Sequence, residues 1–285
     1  MLLPIKKNFK ITVGAIVAVV LAVLCFFILR DGNPKHARDI NALKKAREVQ
    51  VYAKLHLDLL DPGQAPNHLR SYARKGYQII IDTQTHAKEY IRAKLDCTNC
   101  HFAGGETTGG AQGSISLAGV AAKYPAYSHV VDKVLDLPAR VNNCFEKSMN
   151  GSPLPLDGEL MLSIITYLQW ISKGVAIYSP TPWLGLKHLD YTGPGNIENG
   201  KRIYHIYCAL CHRDDGQGGE TNPPLWGPNS FNDGAGLHRP ADLATFIFWN
   251  MPYMDSTPVL TEKQAWDVAA YIHAQPRPVY RTTNK

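Results

Sequence analysis

One short pattern of nucleophiles occurs twice in the chain, as Cys97-Thr98-Asn99-Cys100-His101 and as Cys208-Ala209-Leu210-Cys211-His212. Two thiols at this spacing lie on one side of a helical turn, where each can add to one vinyl group of a porphyrin. The histidine that follows directly is then carried beneath the iron as an axial ligand. The rival explanation is a zinc or thiol-redox C-x-x-C with a histidine beside it by chance. Two complete occurrences in 285 residues weigh against it. The spacing therefore predicts two covalent c-type haems, linked through Cys97, Cys100, Cys208 and Cys211, with His101 and His212 as proximal iron ligands.

The chemistry of such a haem is set by its opposite axial position. In the second half, Met251 and Met254 follow the motif. Met251 sits in Asn250-Met251-Pro252, where the proline turns the chain so that a thioether can point inward. A His/Met haem suits electron transfer. The first half offers Cys144, Met149, Met161 and His129. Met161 falls on an apolar helix face and reads as core, and His129 reads as an ordinary histidine. Met149 would make a second electron-transfer haem. Cys144 would do something different, because a thiolate pushes electron density onto iron and its sulfur can exchange with sulfur substrates. Composition and spacing leave Cys144 and Met149 on equal terms.

Helices must position these residues. Asn33-Pro34 reads as the cap and first position of a basic helix to about Leu60. A helix is predicted over Leu69–Thr85, then a Gly-rich loop over 104–113, then a distal segment from Tyr124-Pro125 through Val131 to Leu137. Asp157 reads as the N-cap of a helix to about Ser172, with Leu160, Met161, Ile164, Ile165, Leu168 and Ile171 on one face and Gly174 as its stop. Residues 175–195 lack a period and hold several Pro and Gly, as a linker does. Asn199–Tyr207 leads into the second motif as a helix, residues 214–240 read as loop, and Thr261-Glu262-Lys263-Gln264 fits a capping box opening the last helix. The predicted fold is all-α, with two cytochrome c-like domains behind an N-terminal transmembrane helix. The boundaries are 1–32 for a membrane anchor, 33–68 for a helical extension, 69–175 for the first haem domain, 176–195 for the linker and 196–285 for the second haem domain.

Lys6, Lys7 and Lys10 precede an apolar run from Ile11 to Leu29, long enough to cross a bilayer and without a small-x-small cleavage site after it. Leu24 before Cys25 argues against lipoprotein processing. The lysines orient the anchor with its N-terminus inside, which puts the haem domains on the periplasmic side of the bacterial inner membrane. Of six cysteines, four become thioethers and Cys25 lies in the apolar run, so Cys144 is left without a disulfide partner. The net charge of +6 favours small anions or acidic redox partners. No basic run interleaves with aromatics and no DNA- or RNA-binding motif occurs, which speaks against nucleic acid.

At these residues the chain resembles the dihaem thiosulfate dehydrogenase / tetrathionate reductase family, over residues 70–280. The likeness is carried by Gly76-Tyr77, by Thr85-His86 and by the block Arg140-Val-Asn-Asn-Cys-Phe-Glu-Lys-Ser-Met-Asn-Gly151 with Pro153-Leu-Pro-Leu156. In the second half it is carried by Pro224-Leu-Trp-Gly227, Ser230-Phe-Asn-Asp-Gly-Ala-Gly236, Asn250-Met-Pro252 and Ala265-Trp-Asp-Val-Ala-Ala-Tyr271. The resemblance implies a catalytic first haem with His101 and Cys144 as ligands, and a relay haem with His212 and Met251. It implies coupling of two thiosulfates to tetrathionate, or the reverse, with electrons exchanged with a soluble or membrane-bound c-type cytochrome. Thiosulfate is then expected beside the first haem, near Arg140, Lys147 and amides of the Gly-rich loop, with Cys144 taking its terminal sulfur. Lys147 stands where the family usually has arginine, so the charge survives and the two-pronged fork does not. Asn250 stands where some relatives carry a competing lysine, which implies a simple His/Met second haem. The rivals are a membrane-anchored dihaem carrier with Met149 on the first haem, and a peroxidase-like enzyme, for which His129 is the one acid–base candidate.

Overall fold

The computed structural model describes residues 61–107, 109–128, 131–253 and 258–281. The predicted anchor and most of the predicted extension lie outside them, as do His129 and Met254. Among the described residues no helix is long and apolar enough to cross a membrane. All of them belong to one compact unit, Tyr52–Lys285.

Each half is built on a crossed pair of helices. In the first half these are α1 (Asn67–Ile81) and, after α2 (Thr83–His86) and α3 (Leu137–Asn143), α4 (Glu159–Trp170). A glycine sets each crossing. A Cβ on Gly76 of α1 would lie 2.1 Å from the Ser163 carbonyl and 2.7 Å from Tyr167 Cβ on α4. The second half repeats this with α5 (Ile197–Tyr207) and, beyond α6 (Ala209–His212) and α7 (Pro240–Asn250), α8 (Glu262–His273). There a Cβ on Gly200 would lie 1.8 Å from the Asp267 carbonyl and 3.0 Å from Tyr271 Cβ. Ser163 and Tyr167, like Asp267 and Tyr271, are one turn apart on a single helix face, so both halves close on the same device.

Caps explain where the helices differ from their predicted spans. The run expected to continue to Thr85 breaks at Asp82, whose φ of −141° leaves the helix and whose carboxylate accepts from Thr85 N to start α2. Asp157 is not the cap of α4; Gly158 precedes that helix without a side-chain cap. Helix α5 starts two residues early because Asn196 accepts from Asn199 N, and buried Asp267 accepts in turn from Asn196 N and Asn199 Nδ2 at 2.7 and 2.6 Å. Both halves of the capping box at Thr261 and Gln264 are present. Helix α7 was hidden by its own burial. Leu243, Ala244, Thr245, Phe246 and Ile247 are all buried, so no polar face marks a helical period, and Pro240 starts it.

The all-α expectation needs one correction. β1 (Ala126–Ser128) and β2 (Lys133–Leu135) pair antiparallel, with Tyr127 opposite Val134. Aromatic and β-branched side chains on a pleated surface favour this pairing over helix. The predicted linker is strapped down: Trp183 Nε1 donates to Ala118 O, Tyr191 N to Glu262 Oε2, and Trp249 Nε1 to Lys187 O, each at 2.8 Å. The halves also share an apolar seam of Ala93, Leu95, Met149, Phe231 and Ala235. Lys94 N donates to Asn229 O at 2.8 Å and Asn232 Nδ2 to Glu146 O at 2.8 Å across it.

Candidate haem and substrate sites

The first attachment motif is a single 3-10 turn, Cys97–Asn99, closed by a capping box in which Asp96 and Asn99 exchange hydrogen bonds. It is fixed to the end of α1 through Thr83, whose hydroxyl accepts from Cys97 N at 3.0 Å, donates to Ile79 O at 2.8 Å and lies 3.3 Å from Cys97 Sγ. His101 Nδ1 is 2.6 Å from the Ile115 carbonyl. A carbonyl can only accept, so Nδ1 carries the proton and Nε2 presents its lone pair. Burial, against the pull of that carbonyl, brings the His101 pKa down to about 4, so the ring is neutral. Burial also pushes the Cys97 and Cys100 thiols up to about 12.

The second motif is built alike from different neighbours. Cys208 caps α6, His212 N donates to Cys208 O at 2.9 Å, and His212 Nδ1 meets the Pro223 carbonyl at 2.9 Å. Burial lowers the His212 pKa. Met251, directly after α7, packs against the same apolar cluster as Cys208. In both halves, then, thiols one helical turn apart and a neutral imidazole with a free Nε2 fit a covalently attached porphyrin.

Asp136 caps α3 by accepting from Ala139 N at 2.7 Å. Helix α3 ends at Asn143, and Cys144 opens a π turn (Cys144–Ser148) in which Met149 N donates to Cys144 O at 2.9 Å. Arg140 and Cys144 lie one turn apart on one face, and Arg140 Nη1 is 2.8 Å from Cys144 Sγ. The neighbouring Cys144 sulfur raises the Arg140 pKa, burial opposes that, and Tyr124 adds to the rise. The charge at Arg140 reaches His101, where it lowers the pKa, and the charge at Cys144 reaches both Cys97 and Cys100. Cys97 also packs against the apolar cluster of Leu137 and Phe145, with Val141 beside it, which brings the Cys144 turn near the attachment turn.

Two other expectations fare differently. Lys147 has a partner of its own: its ammonium lies over the Tyr280 ring, 5.2 Å from the centroid. The π turn that ends α3 and the arrival of the C-terminal tail give it that partner. Several amides of the Gly-rich loop are already engaged: Gly105 N donates to Phe102 O, Glu106 N to Ala103 O, Gly113 N to Gly110 O and Gln112 N to Trp249 O, while the Ile115 carbonyl serves the proximal histidine. Met149 is buried in the seam between the halves. Nothing in the sequence marks Thr83, because its partner Cys97 lies fourteen residues away on a different element.

The family model described as SoxA/TsdA, cytochrome c domain, matches residues 85–177, and that described as cytochrome C oxidase, cbb3-type, subunit III, matches residues 195–272. The chain is 39% identical over 211 residues to a thiosulfate dehydrogenase of Stutzerimonas stutzeri (strain A1501), a match covering 72% of this chain and 67% of that protein. To a thiosulfate dehydrogenase of Allochromatium vinosum it is 32% identical over 213 residues, covering 73% and 78%. The solved structure of thiosulfate dehydrogenase (TsdBA) from Marichromatium purpuratum superposes with a TM-score of 0.70 at 29% identity, covering 77% of this chain and 49% of that one. The chain thus spans about half the length of this solved relative.

Proposed function

Because the chain belongs to the thiosulfate dehydrogenase family, with two c-type haems, we propose that it couples two thiosulfates to tetrathionate at the first haem and passes the electrons through the second to a c-type cytochrome. The observation that carries this reading is the Arg140–Cys144 pair, a guanidinium 2.8 Å from a sulfur on a turn that shares its apolar cluster with Cys97. Met149, which a carrier would need as ligand, is buried in the seam, in a cluster that Cys97 also packs against.

Cys97, Cys100, His101 and Cys144 would hold the first haem, and Cys208, Cys211, His212 and Met251 the second. Bound there, the two irons supply acceptors for two electrons. Arg140 binds the thiosulfate dianion through its permanently charged guanidinium, which lies 2.8 Å from the Cys144 sulfur. The Cys144 sulfur forms a bond to the terminal sulfur of thiosulfate as two electrons leave. Arg140 retains the sulfonate end and holds the new sulfur–sulfur bond in place. The terminal sulfur of a second thiosulfate then attacks the sulfane sulfur, tetrathionate departs, and Cys144 is restored as a thiolate. Run backwards, the same steps reduce tetrathionate.

The proposal extends to location. The apolar run from Ile11 to Leu29 anchors the chain in the inner membrane with its haem domains on the periplasmic side, where attachment of this type takes place. The test is steady-state kinetics of purified dihaem protein carrying Cys144→Ala. Thiosulfate-dependent reduction of an added c-type cytochrome should fall by at least about a hundredfold while the second haem keeps its spectrum. Full turnover in that variant would end the reading.

A further inference from the structure

Asn250, the residue before Met251, closes α7 and is 1% exposed. Both ends of its side chain are occupied. Oδ1 accepts from Ser114 N at 2.7 Å and Nδ2 donates to Phe246 O at 2.9 Å, so the amide orientation is fixed by its partners. Beside it, Gln112 N donates to Trp249 O at 2.9 Å. A helix ends with carbonyls that lack partners within it, and here a segment of the first half supplies one at the last turn of α7.

The same segment holds the first attachment motif. Ile115 O accepts from His101 Nδ1 at 2.6 Å, Ile115 N donates to Cys100 O at 3.1 Å, and Ser114 Oγ accepts from Phe102 N at 2.8 Å. The Phe102 ring meets Phe246 of α7 and Tyr253 edge-on, at 6.0 and 5.0 Å between centroids. A stretch of four residues thus grips the proximal histidine of one haem on one side and the neighbour of Met251 on the other. Ser114 keeps this double grip with a φ of +50°, a backbone geometry that its bonds on both sides hold in place.

We propose that Asn250 is a positioning residue: through the Ser114 amide it fixes where Met251 presents its thioether, and so ties the ligation of the second haem to the proximal loop of the first. The inference rests on the reading of Met251 as a ligand. Replacing the side chain by an apolar one of similar size leaves the Ser114 amide buried without an acceptor and releases the end of α7 from the first half. Met251 then competes less well for its position. The covalent attachment at Cys208 and Cys211 lies on α6 and stays intact.

The experiment compares oxidised wild type, Asn250→Leu and Asn250→Asp as dihaem proteins. It reads the thioether-to-ferric-iron absorption in the red, the reduction potential of the second haem, and titration with imidazole, which replaces a loosely held methionine. Asn250→Leu should lose the thioether absorption or bind imidazole about tenfold more tightly, with a lowered second potential and an unchanged first haem. Asn250→Asp still accepts from the Ser114 amide and should keep the absorption. If Asn250→Leu does not accumulate with two haems, Asn250→Ala takes its place in the same comparison. A thioether absorption that is present in wild type and unchanged in the apolar variant overturns the inference, as does its equal loss in the aspartate variant. Its absence from wild type would instead overturn the assignment of Met251.

Discussion

Arg140 and Cys144 are an unremarkable pair of letters in the sequence, one helical turn apart, and their chemistry depends on α3 being a helix that stops at the cysteine. With Nη1 at 2.8 Å from the sulfur and further donors left for an anion, this arginine has a planar, many-donor role that an ammonium cannot copy. Arg140→Leu should lower kcat/KM for thiosulfate by about tenfold to a hundredfold, the worth of a charge-assisted hydrogen bond, and Arg140→Lys should recover only part of it. Lys147→Ala, by contrast, should leave KM within about twofold, since that ammonium is engaged with Tyr280. Steady-state kinetics on the three variants separate the two cations. The attachment cysteines and histidines were legible because their chemistry demands local spacing. The choice between Cys144 and Met149 was not, since both lie in one short block; the π turn puts Cys144 at Arg140 and Met149 in the seam that Cys97 also packs against.

At the scale of elements, both halves depend on a helix crossing too close for a side chain. Gly76→Ala and Gly200→Ala should each cost about 1–3 kcal/mol in denaturant unfolding and lower the yield of haem-loaded protein, because a Cβ would meet backbone that cannot move aside. The loop after the first motif holds a second testable device. Burial raises the Glu106 carboxyl from its ordinary 4.5 to about 7, although Tyr167 OH lies 3.0 Å from Oε1 and 2.9 Å from the Gly104 carbonyl. The folded state therefore binds a proton that the unfolded chain gives up. This contribution is fully present below about 4.5 and is lost as pH rises through about 7. Unfolding midpoints should fall with rising pH across that window, and Glu106→Gln should flatten the slope there. Amphipathic helices and caps such as Thr261 were readable from pattern. Helix α7 was not, because Leu243, Phe246 and Ile247 are buried alongside Ala244 and Thr245 and leave no polar stripe to set a period.

The described part of the molecule behaves as one body because its halves exchange hydrogen bonds across an apolar seam. Asn232 is the centre of that exchange: its backbone N donates to Lys147 O at 3.1 Å and its Nδ2 to Glu146 O at 2.8 Å, next to the Cys144 turn. Unfolding followed by far-ultraviolet signal and by haem absorption should coincide in wild type. Asn232→Leu should cost about 1–3 kcal/mol and separate the two transitions. No sequence pattern announces such contacts, since residues such as Ser114 and Asn250 meet across more than a hundred positions. The seam also brings the π turn with its lone sulfur up against the half that carries the second haem. The measurement that bears most directly on the account is low-temperature electron paramagnetic resonance of the fully oxidised protein, wild type beside Cys144→Ala. The account predicts two low-spin ferric signals in wild type, one with the narrow spread of a thiolate-ligated haem, and loss of that one alone in the variant. Two methionine-type signals in wild type, or identical spectra for both proteins, would contradict it.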